Sequence, residues 1–76
     1  MGQVITVANA DQARENAIRV LIASQKADRA GRATDPVHRQ VVPALDQAKA
    51  AGCNLRSIHA DADRRYGQWL IDNAGR

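Results

Sequence analysis

The chain has no Phe, and it has one Trp, one Tyr, one Met and one Cys in 76 residues. With so few aromatics, its interior must be assembled mostly from Val, Ile, Leu and many Ala. A domain this short buries little surface with such slender side chains. A lone Cys53 excludes an internal disulfide. With only two histidines, His38 and His59, set far apart, it also argues against a structural zinc site. Nothing in the chain approaches the roughly 18 apolar residues of a membrane span, and no signal-peptide pattern is present, so the expected setting is cytoplasmic. Runs of like charge are absent, which excludes a basic arm or an acidic tail. There is no Gly-rich loop with Lys for phosphate, no acyl-transfer constellation and no carboxylate pair placed for acid–base work. The expectation is a non-enzyme with no cofactor, no metal and no small-molecule substrate.

What is present is arginine. Nine Arg and two Lys outweigh eight acidic residues, leaving a net charge of +3. That balance suits nucleic acid or an acidic protein surface. With an internal disulfide excluded and a structural metal disfavoured, the remedy left for so small a core is oligomerisation, and a homodimer is expected.

Along the chain, Gln3-Val4-Ile5-Thr6-Val7 is rich in β-branched residues and reads as a strand over residues 3–7. A single strand cannot satisfy its own backbone, so its partner is expected on another chain. Asn9 or Asp11 then caps a helix over 10–30, whose stripe is Ala13, Ala17, Ile18, Leu21, Ile22 and Gln25, with Glu15 and Arg19 in favourable i,i+4 order. Gly31 ends it. Asp35-Pro36 opens a helix over 35–51 with Val37, Val41, Leu45 and Ala48 on one face, kinked or broken near Pro43. Asn54 caps a helix over 54–73 with Leu55, Ile58, Ala62, Tyr66, Trp69 and Leu70 inward. The predicted fold is therefore one small, mainly α domain over 1–76, a strand followed by three helices. Gly67 inside the last helix costs roughly 1 kcal/mol relative to Ala unless it admits a close neighbour.

Gly52 and the residues after it carry the strongest functional hint. Ala48, Gly52, Cys53 and Ile58 stand four before, at, one after and six after the turn glycine. In that spacing the segment from Ala48 to His59 resembles the helix-turn-helix motif of bacterial regulators and recombinases. Gln47 and Asp61 depart from it, standing where the motif places apolar residues. The resemblance implies DNA binding, with Asn54, Leu55, Arg56 and His59 at the groove-facing start of the last helix. The expected mechanism is phosphate anchoring by Arg56, Arg64, Arg65 and Arg39, with limited base reading by Asn54 and His59. The order strand, helix, helix is also that of ribbon-helix-helix repressors, although this strand offers few polar base-reading groups.

Other groups have plainer readings. His59 and Asp63 lie i,i+4 and are expected on a solvated face, where Asp61 pairs with Arg65. Cys53 is expected to fill space at the turn. A second functional class is a protein-binding adaptor or inhibitor. Its interface residues would be Tyr66, Trp69 and Leu70, or the strand residues Val4, Ile5 and Val7 added to a partner's sheet edge.

Overall fold

A computed structural model describes residues 7–74, with side chains from Asn9 onward. The order is α1 (Val7–Arg29), a 3₁₀ segment (Pro36–Gln40), α2 (Val41–Ala50) and α3 (Leu55–Asn73). The mainly helical, three-helix class expected from the sequence is present. Among the described residues there is no strand. Most of the expected strand, including Val4 and Ile5, lies outside the described residues. Its last member, Val7, is already the first residue of α1. The helix thus begins three residues ahead of expectation, and Asn9 and Asp11 lie inside it rather than capping it. A helix satisfies its own backbone along its length, which a strand without a partner cannot do.

Both glycine-terminated helices end the same way. After α1, Gly31 takes φ 77°, and the N–H of Arg32 reaches the Ala27 carbonyl at 2.8 Å. After α2, Gly52 takes φ 89°, and the N–H of Cys53 reaches the Ala48 carbonyl at 3.0 Å while that of Gly52 reaches Lys49 at 3.0 Å. These are six-to-one and five-to-two closures around a left-handed residue, and they satisfy carbonyls that a helix end would otherwise leave open.

Of the two outcomes expected near Pro43, a kink or a break, the middle element shows the break. Asp35 accepts the Val37 N–H at 2.9 Å, and Pro36 opens the segment as expected, but residues 36–40 wind as 3₁₀ and the α-helix starts only at Val41. Pro43 explains the break. It lacks the N–H that would bond the Arg39 carbonyl, and its ring crowds that oxygen. Starting the α-helix at Val41 puts Pro43 in the first turn, where no N–H partner is required.

The buried hydrophobic residues are Ala17, Ile18, Val20, Ala27, Ala44, Ala48, Ile58 and Ala62. Among the described residues, only Ile18 and Ile58 are large and fully buried. Alanines therefore sit where the helices cross, and the bulkier Ala-flanking residues Leu21, Ile22, Val37, Val41, Leu45 and Leu55 pack around them half-buried. α1 is the hub, packing along both α2 and α3, whereas α2 and α3 touch little beyond their corner. Polar ties reinforce the hub. Ser24 Oγ and His38 Nδ1 are 2.8 Å apart, and His38 Nε2 lies 3.0 Å from the Arg32 carbonyl, so the 3₁₀ segment is fastened to the end of α1.

Gly67 has no close neighbour: a Cβ there would meet nothing within 4 Å, and its φ is not left-handed. The close-approach reading is thereby replaced by simple tolerance. Gly67→Ala is expected to stabilise the fold by about 0.5–1 kcal/mol, read as a higher thermal unfolding midpoint by circular dichroism.

Candidate nucleic-acid interface

Four residues, 51–54, separate α2 from α3. The motif positions behave as an interlocked corner. Ala48 and Ile58 are fully buried in one cluster, Gly52 supplies the left-handed turn, and Cys53 packs against the same cluster. The Cys53 thiol points at the Ala10 carbonyl at 3.4 Å, which ties the corner to α1. Asn54 caps α3, its Oδ1 accepting the Ser57 N–H at 3.1 Å.

That cap changes what Asn54 can do. A bidentate contact to adenine needs both the amide oxygen and the amide N–H₂. Here the oxygen already accepts from the helix end, which fixes the amide in its capping geometry with the N–H₂ as the donor.

The buried side of α3 is Ile58 and Ala62, with Leu55, Tyr66 and Trp69 following it. At 3.6 residues per turn the opposite side is Arg56, Ala60 and Arg64, at i, i+4 and i+8, and all three are exposed. His59 is exposed on one flank of that stripe. Arg39 is exposed too, but it precedes α2, whose ten residues span about 15 Å before the corner. The structure thus gathers Arg56, His59 and Arg64 on one helix surface and sets Arg39 apart from them.

Arg64 and Arg65 differ in their partners. Arg65 grips Glu15 of α1 with both arms of its guanidinium, at 2.9 and 2.8 Å. Arg64 reaches only Asp61, at 3.0 Å, and its side chain is 72% exposed. Asp61 is in turn held by Arg14 of α1, which also donates to Ser57 Oγ at 3.2 Å. The expected pairs Asp61–Arg65 and Glu15–Arg19 are replaced by these contacts between helices. Helical spacing shows only partners on the same helix, so Arg14 went unnoticed as a functional neighbour. Asp63, expected beside His59, accepts from Gln25 Nε2 of α1 at 3.0 Å.

These pairs shift the carboxylates. The Arg65 hydrogen bond holds Glu15 below its ordinary range, and Glu15 in turn raises Arg65. Hydrogen bonds from Arg14 and then Arg64 hold Asp61 low. A carboxylate whose pKa is depressed by folding lends stability above its unfolded value and loses it as pH falls through the folded one. The stability gap between wild type and Arg65→Gln is therefore expected to shrink as pH drops below about 4, measured by urea unfolding across pH.

The aromatic pair lies farther along α3. Tyr66 and Trp69 stack at 5.9 Å with planes 13° apart, and the Lys26 ammonium sits 4.4 Å from the indole centroid. Trp69 is half-buried and covered on these sides by its own chain. Leu70 is half-buried, and the next residue, Ile71, is 71% exposed.

Away from α3, an open groove of about 850 Å³ follows the seam of α1 and α2. Gln12, Asn16, Gln47 and Arg19 line it over an alanine floor, and Arg19 is the one titratable side chain in that lining. Among the described residues, no three His, Cys, Asp or Glu side chains converge as metal ligands, and no helix is long and apolar enough to cross a membrane.

Comparison with known protein families, curated proteins and solved structures finds no match to this chain.

Proposed function

We propose that this protein binds double-stranded DNA, presenting the outer side of α3 to the major groove. One observation carries the reading. The two carboxylates in the first half of α3, Asp61 and Asp63, are both engaged by α1 side chains, Arg14 and Gln25. Arg14 neutralises Asp61, whereas Asp63, bonded to the neutral Gln25 amide, stays charged and exposed beside Arg56, so the outward stripe of Arg56, Ala60 and Arg64 carries two cations with one anion at its edge. The locked corner of Ala48, Gly52 and Ile58 supports the same reading, because a groove-reading helix must be held rigidly at its start.

In this mechanism Arg56 and Arg64 anchor phosphates, Arg39 reaches the backbone beyond the corner, and His59 with the Asn54 amide N–H₂ supplies modest base reading. Arg65 acts as a brace to α1. With few base-reading groups, affinity rests mainly on phosphate contacts and falls steeply with salt.

Fluorescence anisotropy on a random duplex tests this. Binding is expected at micromolar protein and about 50 mM salt, weakening linearly on a log–log plot with a slope of about −0.9 per phosphate neutralised. Arg56→Gln should flatten the slope by one such unit. No binding under those conditions ends the proposal.

The exposed Ile71 beside Leu70 favours a second reading, docking on an apolar protein surface, with a second copy of this chain as the simplest partner. A sedimentation mass of two copies that falls to one in Ile71→Arg would support it. A single-copy mass for the wild type excludes the self-pairing.

A further inference from the structure

Among the described residues, Asp61 is the one carboxylate hydrogen-bonded by two arginines, and the two differ in their surroundings. Arg14 reaches it from α1 with its side chain 29% exposed and also holds Ser57. Arg64 reaches the other oxygen from the solvent side. If Arg64 lets go, Asp61 still has Arg14, so no unpaired charge is left behind. Arg65 has no such freedom, because releasing it would strip Glu15 of both of its hydrogen bonds and open the brace between α1 and α3.

From this asymmetry we infer that Asp61 is an internal stand-in for phosphate. It holds Arg64 in the free protein and yields it to a DNA phosphate on binding, with Arg14 keeping Asp61 neutralised throughout. The inference rests on the DNA-binding reading and adds to it a built-in competitor that lowers affinity. A single exposed ion pair is weak, so the exchange costs little. A two-armed guanidinium–carboxylate pair is stronger and geometrically fixed, which keeps Arg65 out of the exchange.

Because an asparagine at 61 no longer competes for Arg64, Asp61→Asn is expected to tighten DNA binding about two- to fivefold. Removing a negative charge would also help any nearby phosphate, so the decisive measurement is a double-mutant cycle with Arg64→Gln. The gain from Asp61→Asn should largely vanish when Arg64 is already glutamine. An equal gain in both backgrounds overturns the exchange. The salt slope offers a second check. It should fall by about 0.9 in Arg64→Gln and stay unchanged in Arg65→Gln. An unchanged slope in Arg64→Gln also overturns it. Circular dichroism melts confirm that each variant is folded before binding is read. Absence of wild-type binding removes the DNA reading itself, whereas wild-type binding with no coupling between Asp61 and Arg64 removes only this inference.

Discussion

Ile58→Ala should leave a large fraction of the protein unfolded at room temperature. Ile58 and Ile18 are the two large side chains fully buried among the described residues, and Ile58 is the one α3 contributes. Truncating a buried Ile to Ala removes its transfer free energy and leaves a cavity, for a total of about 2–5 kcal/mol. A core of this size supplies about 3–5 kcal/mol in all. Leu21, Ile22, Leu45 and Leu55 pack half-buried against the same cluster, so the size of the loss is set by how far they move into the void. Equilibrium urea unfolding checks this. The wild type should show a clear folded baseline, and Ile58→Ala should begin within its transition or show no folded baseline. A loss under about 1 kcal/mol would mean that the corner collapses around the void far more readily than its packing implies. Ile58→Val, which removes one methyl, is expected to cost about 0.5–1.5 kcal/mol and to keep the fold.

Gly52→Ala carries the second large effect. Gly52 has φ 89°, in the left-handed region where a Cβ crowds the following carbonyl, and the strain is expected at about 1–2 kcal/mol. Space is not the obstacle, since a Cβ there meets no atom within 4 Å. The contrast with Gly67 is diagnostic. The same change, glycine to alanine with open space around it, should destabilise at 52 and stabilise at 67, because one backbone is left-handed and the other helical. Thermal melts of the two variants side by side give opposite signs if the backbone conformation governs. The same sign for both would show that burial or local packing governs instead. Gly52→Asn, which tolerates the left-handed region better, should recover part of the loss.

The stop and start signals were the most legible part of the sequence. Gly31, Asp35-Pro36, Gly52 and Asn54 all act where their chemistry places them, because each works on its own backbone within a few residues. The break at Val41 was nearly legible: Pro43 was recognised, but a proline disturbs the turn before it, so the irregular winding lies upstream of the ring. Val20 and Ala27 were missed as core residues because α1 is buried by helices on two sides, and a single stripe describes only one contact. Polar partners were least legible. The Glu15–Arg65 and Arg14–Asp61 pairs join residues 50 and 47 positions apart, and spacing along one helix carries no information about such pairs. The candidate site was therefore readable as a surface, and its division into free and occupied arginines was not.

The alanine-lined crossings bear on heat as well as on packing. Alanine has no rotamers to freeze, so its burial carries no side-chain entropy penalty, whereas a buried Leu or Met gives up torsional freedom. Ala17, Ala27, Ala44, Ala48 and Ala62 gain little from leaving water, and they also lose little on being fixed. The longer contacts around them come from Ile18, Ile58 and the half-buried Leu21, Ile22, Leu45 and Leu55. Enlarging any of these alanines by even one methylene would force the helices apart, so the chain's tolerance for change lies at its rim.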